Sequence, residues 1–169
     1  MQFYSTNRKT SPVSLREAVV RGLAADRGLF MPEVIRRFPP AFYQNMKEMT
    51  LREISFVVAE AFFGEDVEAG KLKEIVDETL NFDIPLVQVA DNRYSLELFH
   101  GPTLAFKDVG ARFMARLLAY FNKQEGERQV NVLVATSGDT GSAVANGFLD
   151  VPGVKVFAVS YTHLRAHET

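Results

Sequence analysis

The chain has 169 residues, enough for one domain or for a small domain and part of another. Hydrophobic residues make up 47% and charged residues 24%, the balance of an ordinary soluble globular protein. A net charge of −2, with Lys and Arg scattered, gives no electrostatic reason to expect nucleic acid or an anionic membrane as partner, and the lack of cysteine excludes disulfides and thiolate metal sites.

The first residues carry no apolar run of the kind a signal peptide needs, and the most apolar stretch, Phe56 to Phe63, is interrupted by Glu60. A membrane span needs roughly 20 continuous apolar residues. A soluble, cytoplasmic protein is expected.

Ser14 followed by Glu17 has the spacing of a capping box, and Leu15, Ala18, Val19 and Leu23 then line one helical face. Gly28 and Pro32 bracket a short apolar link, Leu29 to Met31, expected to tuck into a core. Thr50 with Glu53 caps a second helix carrying Leu51, Ile54, Val57, Val58 and Ala61, and Gly64 ends it. Leu72, Ile75, Val76, Thr79 and Leu80 mark a third helix. Residues 1–82 thus read as a small helical domain without chemistry of its own, and Asp26, Arg27 and the charges of the third helix as solvated surface. Most of the 14 Phe residues are expected to fill the core.

The pattern changes near Asp83-Ile84-Pro85. Two short strands flank an Asp91-Asn92 turn, and a long helix is predicted from Phe106 to Gln124, with Phe113, Met114, Leu117, Leu118 and Phe121 buried. Val130 to Thr136 is a continuous apolar run suited to a strand covered on both faces. A Gly-rich turn, a helix from Ser142 to Phe148 and a strand from Val154 to Val159 complete a βαβ unit. The fold class is α/β, a mostly parallel sheet preceded by the helical domain. Such a sheet needs more strands than residues 83–159 supply, so the second domain is expected to be truncated.

Two segments carry candidate chemistry. Gly101-Pro102-Thr103 is turn-forming, and it delivers Lys107 to the start of the long helix. Positive partial charge at a helix start, together with packing of Phe99 and Phe106 around the lysine, would disfavour the ammonium and favour a nucleophilic amine. An arbitrary lysine at a helix start is more often a solvated surface group. The second segment, Ser137-Gly138-Asp139-Thr140-Gly141, joins a strand to a helix at the carboxyl end of the sheet, where open α/β folds bind ligands. Its glycines and free amides suit an anion, although a capped connection with Asp139 or Ser142 as N-cap explains the same residues.

The longer strings decide between these readings. Glu97-Leu98-Phe99-His100-Gly101-Pro102-Thr103-Leu104-Ala105-Phe106-Lys107-Asp108 resembles the cofactor-attachment motif of fold-type II pyridoxal-phosphate enzymes, in the form found in threonine synthases. Residues 135–143 resemble the threonine synthase segment that faces cofactor and substrate, and residues 4–8, 13–18 and 22–33 resemble that family's N-terminal domain. The resemblance implies a tryptophan synthase β-like domain, pyridoxal 5'-phosphate held by Lys107 as an imine, and contacts to cofactor or substrate carboxylate from Ser137, Gly138, Asp139, Thr140 and Gly141. It implies conversion of O-phospho-L-homoserine and water to L-threonine and phosphate. A related phospho-lyase that makes no threonine, or a non-catalytic truncated polypeptide, remain alternatives. The resemblance does not fix an oligomeric state.

His100 is expected to serve structure through a hydrogen bond. His163 and His167 are spaced like zinc ligands, but no third ligand accompanies them and no metal is expected. Residues 160–169 depart from the family and are expected to be a foreign tail.

Overall fold

In the computed structural model the described residues are 1–124, 126, 129–136 and 138–160. They form two compact units that divide between Glu78 and Thr79.

The first unit opens with a three-stranded antiparallel sheet, where the sequence pattern suggested helices alone. Strands β1 (Gln2–Ser5), β2 (Val13–Ser14) and β3 (Phe30–Pro32) lie in the order β2-β1-β3, with Tyr4 opposite Met31 and Ser5 opposite Phe30. These strands are too short for a period-two pattern to stand out, and the ends of two are hidden beside helix and turn signals. The link expected to tuck inward is strand β3 instead, with Leu29 and Met31 facing solvent.

Asp26 holds the turn between β1 and β3. Its carboxylate accepts from the Ser5 hydroxyl at 2.5 Å and from the amides of Lys9 and Gly28 at 2.9 and 3.0 Å. These bonds, the Ser5 hydroxyl first, hold its pKa below the usual carboxylate range against an opposing effect of burial. Asp26 is therefore a turn-organising residue rather than a solvated one.

Helix α1 (Leu15–Arg21) is capped by Ser14, which accepts from the Glu17 amide at 3.2 Å. The reciprocal half of the expected box is replaced by an ion pair, Glu17 to Arg21 at 3.0 Å. The helix ends before Leu23, which is exposed. After α2 (Pro40–Asn45), helix α3 (Leu51–Phe63) has the full Thr50–Glu53 capping box and ends at Gly64. Its expected apolar side is only half-buried, with Leu51 exposed, and its buried residue is Ala59, which lies outside the expected set. In helix α4 (Ala69–Thr79) and just after it, Leu72, Ile75, Val76, Thr79 and Leu80 are all buried, the stripe expected from their spacing.

The second unit begins with the hairpin β4 (Leu86–Ala90) and β5 (Arg93–Leu96), turning at Asn92 with φ 56°. Helix α5 (Lys107–Gln124) buries Leu117, Leu118 and Phe121 as expected. Met114 is exposed, and the helix also buries Asp108, Arg112 and Asn122. The Arg112 guanidinium donates to the Thr79 carbonyl at 3.2 Å and to Asn81 at 2.9 Å.

Strands β6 (Val130–Thr136) and β7 (Val154–Ser160) pair in parallel, with α6 (Asp139–Gly147) between them in the chain and packed on both. A Cβ at Gly147 would lie 2.9 Å from the Ala111 carbonyl carbon, so the small residue lets α6 approach α5. Strand β6 alternates half-buried and exposed residues rather than being covered on both faces, because α6 covers one side only. Core Phe residues are few. Phe3, Phe121 and Phe148 are buried, whereas Phe99, Phe106 and Phe157 are exposed. The fold is α/β, and no helix among the described residues is long and apolar enough to cross a membrane.

Candidate active site

Lys107 is the first residue of α5 and is half-buried. The segment before it makes turns, with the Leu104 amide donating to the Gly101 carbonyl at 3.0 Å. Leu104 has φ 57°, a left-handed conformation that a bulky side chain adopts at a cost of roughly 1–2 kcal/mol.

A buried carboxylate holds this strained turn. Asp108 is fully buried and accepts from the Thr103 amide at 2.8 Å and the Thr103 hydroxyl at 2.6 Å. By sequence alone Asp108 could stabilise the Lys107 ammonium or simply suit a helix start; its carboxylate instead turns back to Thr103. Thr103, five residues earlier, reads in the sequence only as part of a turn, because its bond to Asp108 depends on the backbone folding back through Leu104.

The apolar enclosure expected for Lys107 is absent. Phe99 and Phe106 are 49% and 62% exposed, because the turns between β5 and α5 fan their side chains outward. The Lys107 Nζ lies 5.5 Å from the centroid of the Phe106 ring, a face that attracts an ammonium. Among the described residues it has no ion-pair partner. His100 pairs with Glu97 at 2.7 Å, the structural bond expected of it.

The second segment joins β6 to α6 within the βαβ unit. Helix α6 starts at Asp139, three residues before its expected start, and its N-cap is Gly138 rather than Asp139 or Ser142. The capping oxygen comes from Thr136, at the end of β6, whose hydroxyl accepts from the amides of Gly138 and Gly141, both at 3.2 Å. A Cβ on Gly141 would sit 2.0 Å from the Thr136 methyl group, so this position excludes any side chain. Thr136 lay inside the motif yet was not singled out. Its signal was a hydroxyl ending a strand immediately before a Gly-rich turn.

The amides of Asp139 and Thr140 have no partner among the described residues and lie at the exposed first turn of α6. With the Thr140 hydroxyl they form a donor group suited to a carboxylate or phosphate oxygen. Ser137 lies outside the described residues, as do His163, His167 and the tail from Tyr161. Among the described residues no hydrogen bond joins the Lys107 turn to the Thr136–Gly141 turn.

A turn fixed by a buried carboxylate that presents a lysine, and a βα connection with unpartnered helix-start amides, are the features of this unit that could meet a small anionic ligand. The sequence profile described as "Threonine synthase N terminus" matches residues 2–80. Threonine synthase from Serratia marcescens is 40% identical over 92% of this chain, and that from Escherichia coli 39% identical over the same share; each match covers 36% of the relative. The crystal structure of the Escherichia coli threonine synthase aligns with TM-score 0.85 at 39% identity, over 94% of this chain and 36% of that one. An X-ray structure of PLP-bound threonine synthase from Brucella melitensis aligns with TM-score 0.88 at 34% identity, over 94% of this chain and 35% of that one. The chain therefore spans about a third of the length of these relatives. Residues 2–80 are similar to the N-terminal region of threonine synthases, and over nine-tenths of its length the chain is similar to threonine synthases in sequence and fold.

Proposed function

We propose that this chain is the lysine-bearing part of a pyridoxal-phosphate-dependent threonine synthase, which converts O-phospho-L-homoserine and water to L-threonine and phosphate. The observation that carries it is the Lys107 turn: a strained loop fixed by Thr103 on the buried Asp108 sets an amine, with no ion-pair partner among the described residues, at the head of α5.

The residues present suit the cofactor. Lys107 supplies an amine for its aldehyde carbon, and the Asp139 and Thr140 amides supply donors for an oxyanion of cofactor or substrate. Ser137, Gly138 and Gly141 complete that turn in the sequence, the last two by letting backbone approach closely. Bound pyridoxal phosphate supplies an electron sink for negative charge developing at the substrate's Cα and Cβ.

The role of this chain is then to hold and move protons. In this reading Lys107 Nζ takes protons from Cα and Cβ; phosphate leaves with the electron pair of the Cγ–oxygen bond, one proton is returned to Cγ to make the methyl group, and another is returned to Cα after water has added at Cβ. Water adds at Cβ, and the product balances as threonine plus phosphate. The donors at the start of α6 fix the substrate carboxylate so that Cα and Cβ face the amine.

The test is borohydride reduction of the chain with added pyridoxal 5'-phosphate, followed by peptide mapping. A pyridoxyl adduct concentrated on Lys107 is expected; labelling spread evenly over the surface lysines would sink the assignment. On the intact reading frame, threonine and phosphate released together mark the synthase. A keto acid with ammonia would mark a phospho-lyase instead.

A further inference from the structure

Arg112 lies buried one turn beyond Asp108 on α5, and the proposed reaction gives it no part. A cation taken out of water is held where fixed acceptors replace its hydration. Two of its acceptors belong to one short segment. Arg112 Nε donates to the Thr79 carbonyl at 3.2 Å and Nη2 to Asn81 Oδ1 at 2.9 Å, and the guanidinium carbon lies 6.0 Å from the centroid of the Phe82 ring. The planar fork thus ties residues 79–82 to α5.

Phe82 is the part of that segment that reaches the lysine turn. Gly101 is buried, and a Cβ there would lie 3.0 Å from Phe82 Cζ and 2.6 Å from Asp108 Oδ2. The Gly101 backbone is therefore held between the ring beside Arg112 and the carboxylate that fixes Thr103. Its carbonyl in turn accepts from the amide of Leu104, the left-handed residue three before Lys107. A strained residue keeps its conformation only while its surroundings over-determine it. The Thr103–Asp108 bonds close one side of the turn, and Phe82 closes the other.

We propose that Arg112 is a positioning residue for Lys107: through Asn81 and Phe82 it clamps the Gly101–Leu104 turn and so fixes where the amine stands. The inference rests on the reading of Lys107 as the imine-forming amine and extends it to the residue that holds the turn from behind.

The test compares the 169-residue chain with its Arg112→Met, Asn81→Ala and Leu117→Ala variants in two measurements. Hydrogen exchange read by mass spectrometry on residues 101–106 reports the clamp without any cofactor. Borohydride reduction with pyridoxal 5'-phosphate and peptide mapping reports the share of pyridoxyl label on Lys107. Arg112→Met should speed exchange in the turn and cut the Lys107 share by about tenfold, because a small misplacement of a reacting group is costly. Asn81→Ala removes one acceptor from an exposed position, so it should show both effects to a smaller degree. It decides the matter if far-UV circular dichroism finds Arg112→Met unfolded. Leu117→Ala empties buried core further along α5, and should lower the melting temperature while leaving exchange in the turn and the Lys107 share unchanged. The proposal is overturned if neither Arg112→Met nor Asn81→Ala alters the turn and the label, or if Leu117→Ala alters them as much. Label spread evenly over the lysines of the unsubstituted chain would count against the cofactor reading; faster exchange in Arg112→Met would then still establish the clamp.

Discussion

Side-chain geometry at three positions sets expectations that a stability measurement can check. Asp108 accepts two hydrogen bonds while fully buried, so Asp108→Ala strands the amide and hydroxyl of Thr103; urea denaturation should show a loss of about 3 kcal/mol. Leu104 sits at φ 57°, and glycine there removes strain but adds freedom to the unfolded chain. Leu104→Gly should thus change stability by no more than about 1 kcal/mol, whereas the β-branched Leu104→Val should lower it clearly. Gly141 faces the Thr136 methyl at a distance no Cβ can occupy, so Gly141→Ala should displace the start of α6 and lower the melting temperature. Adding Thr136→Ser removes that methyl and keeps the capping hydroxyl, and the double variant should recover most of the loss. At this scale the sequence exposed Lys107 through its string of neighbours. The Thr103–Asp108 and Thr136–Gly141 pairs stayed hidden because each depends on a turn whose backbone angles no local pattern specifies.

Elements were legible in proportion to their length and end signals. The Thr50–Glu53 box and the Leu72–Leu80 stripe announced α3 and α4, since caps and a 3.6-residue period are local properties. Thr50→Ala should cost about 1 kcal/mol in a thermal or urea melt. Strands β1, β2 and β3 were missed because strands of four residues or fewer offer no period to read, and their pairing is decided by residues far apart in sequence. The turn that joins them also predicts an acid response. The Asp26 pKa is depressed in the folded chain, chiefly by the Ser5 hydroxyl, so its contribution is complete above the unfolded carboxylate value of about 3.9 and is lost as pH falls through the lower folded value. Asp26→Asn should start less stable at neutral pH and lose less on acidification, as read by circular dichroism melts across the acid range.

For the whole molecule, the α/β class and the βαβ order followed from alternating patterns, while the bare face of β6–β7 did not, because an apolar run reads the same whether or not a covering layer is present. Activity belongs to this scale as well. The chain holds the proposed amine and the α6 donors, yet spans only about a third of its relatives, and a lysine alone can form an imine but cannot orient or tune a cofactor. Phosphate release from O-phospho-L-homoserine by the purified 169-residue chain is therefore expected to be weak or absent; rates like those of full-length threonine synthases would contradict that expectation.

The register of β6 and β7 also governs how this unit assembles. Every residue of β6 finds its partner only after α6 and the turn behind it have been synthesised, so the ladder is built entirely from non-local pairs. Pairs of that kind close late and slowly, with loop entropy spent before any hydrogen bond returns it. A slip of one residue in β7 would turn Phe157 beneath α6 and push Val156 into water while β6 kept its facing, a misfolded state of similar composition. Refolding should accordingly show a fast phase for the capped helices and a slower one for this strand pair, with the α6 contacts choosing the correct register.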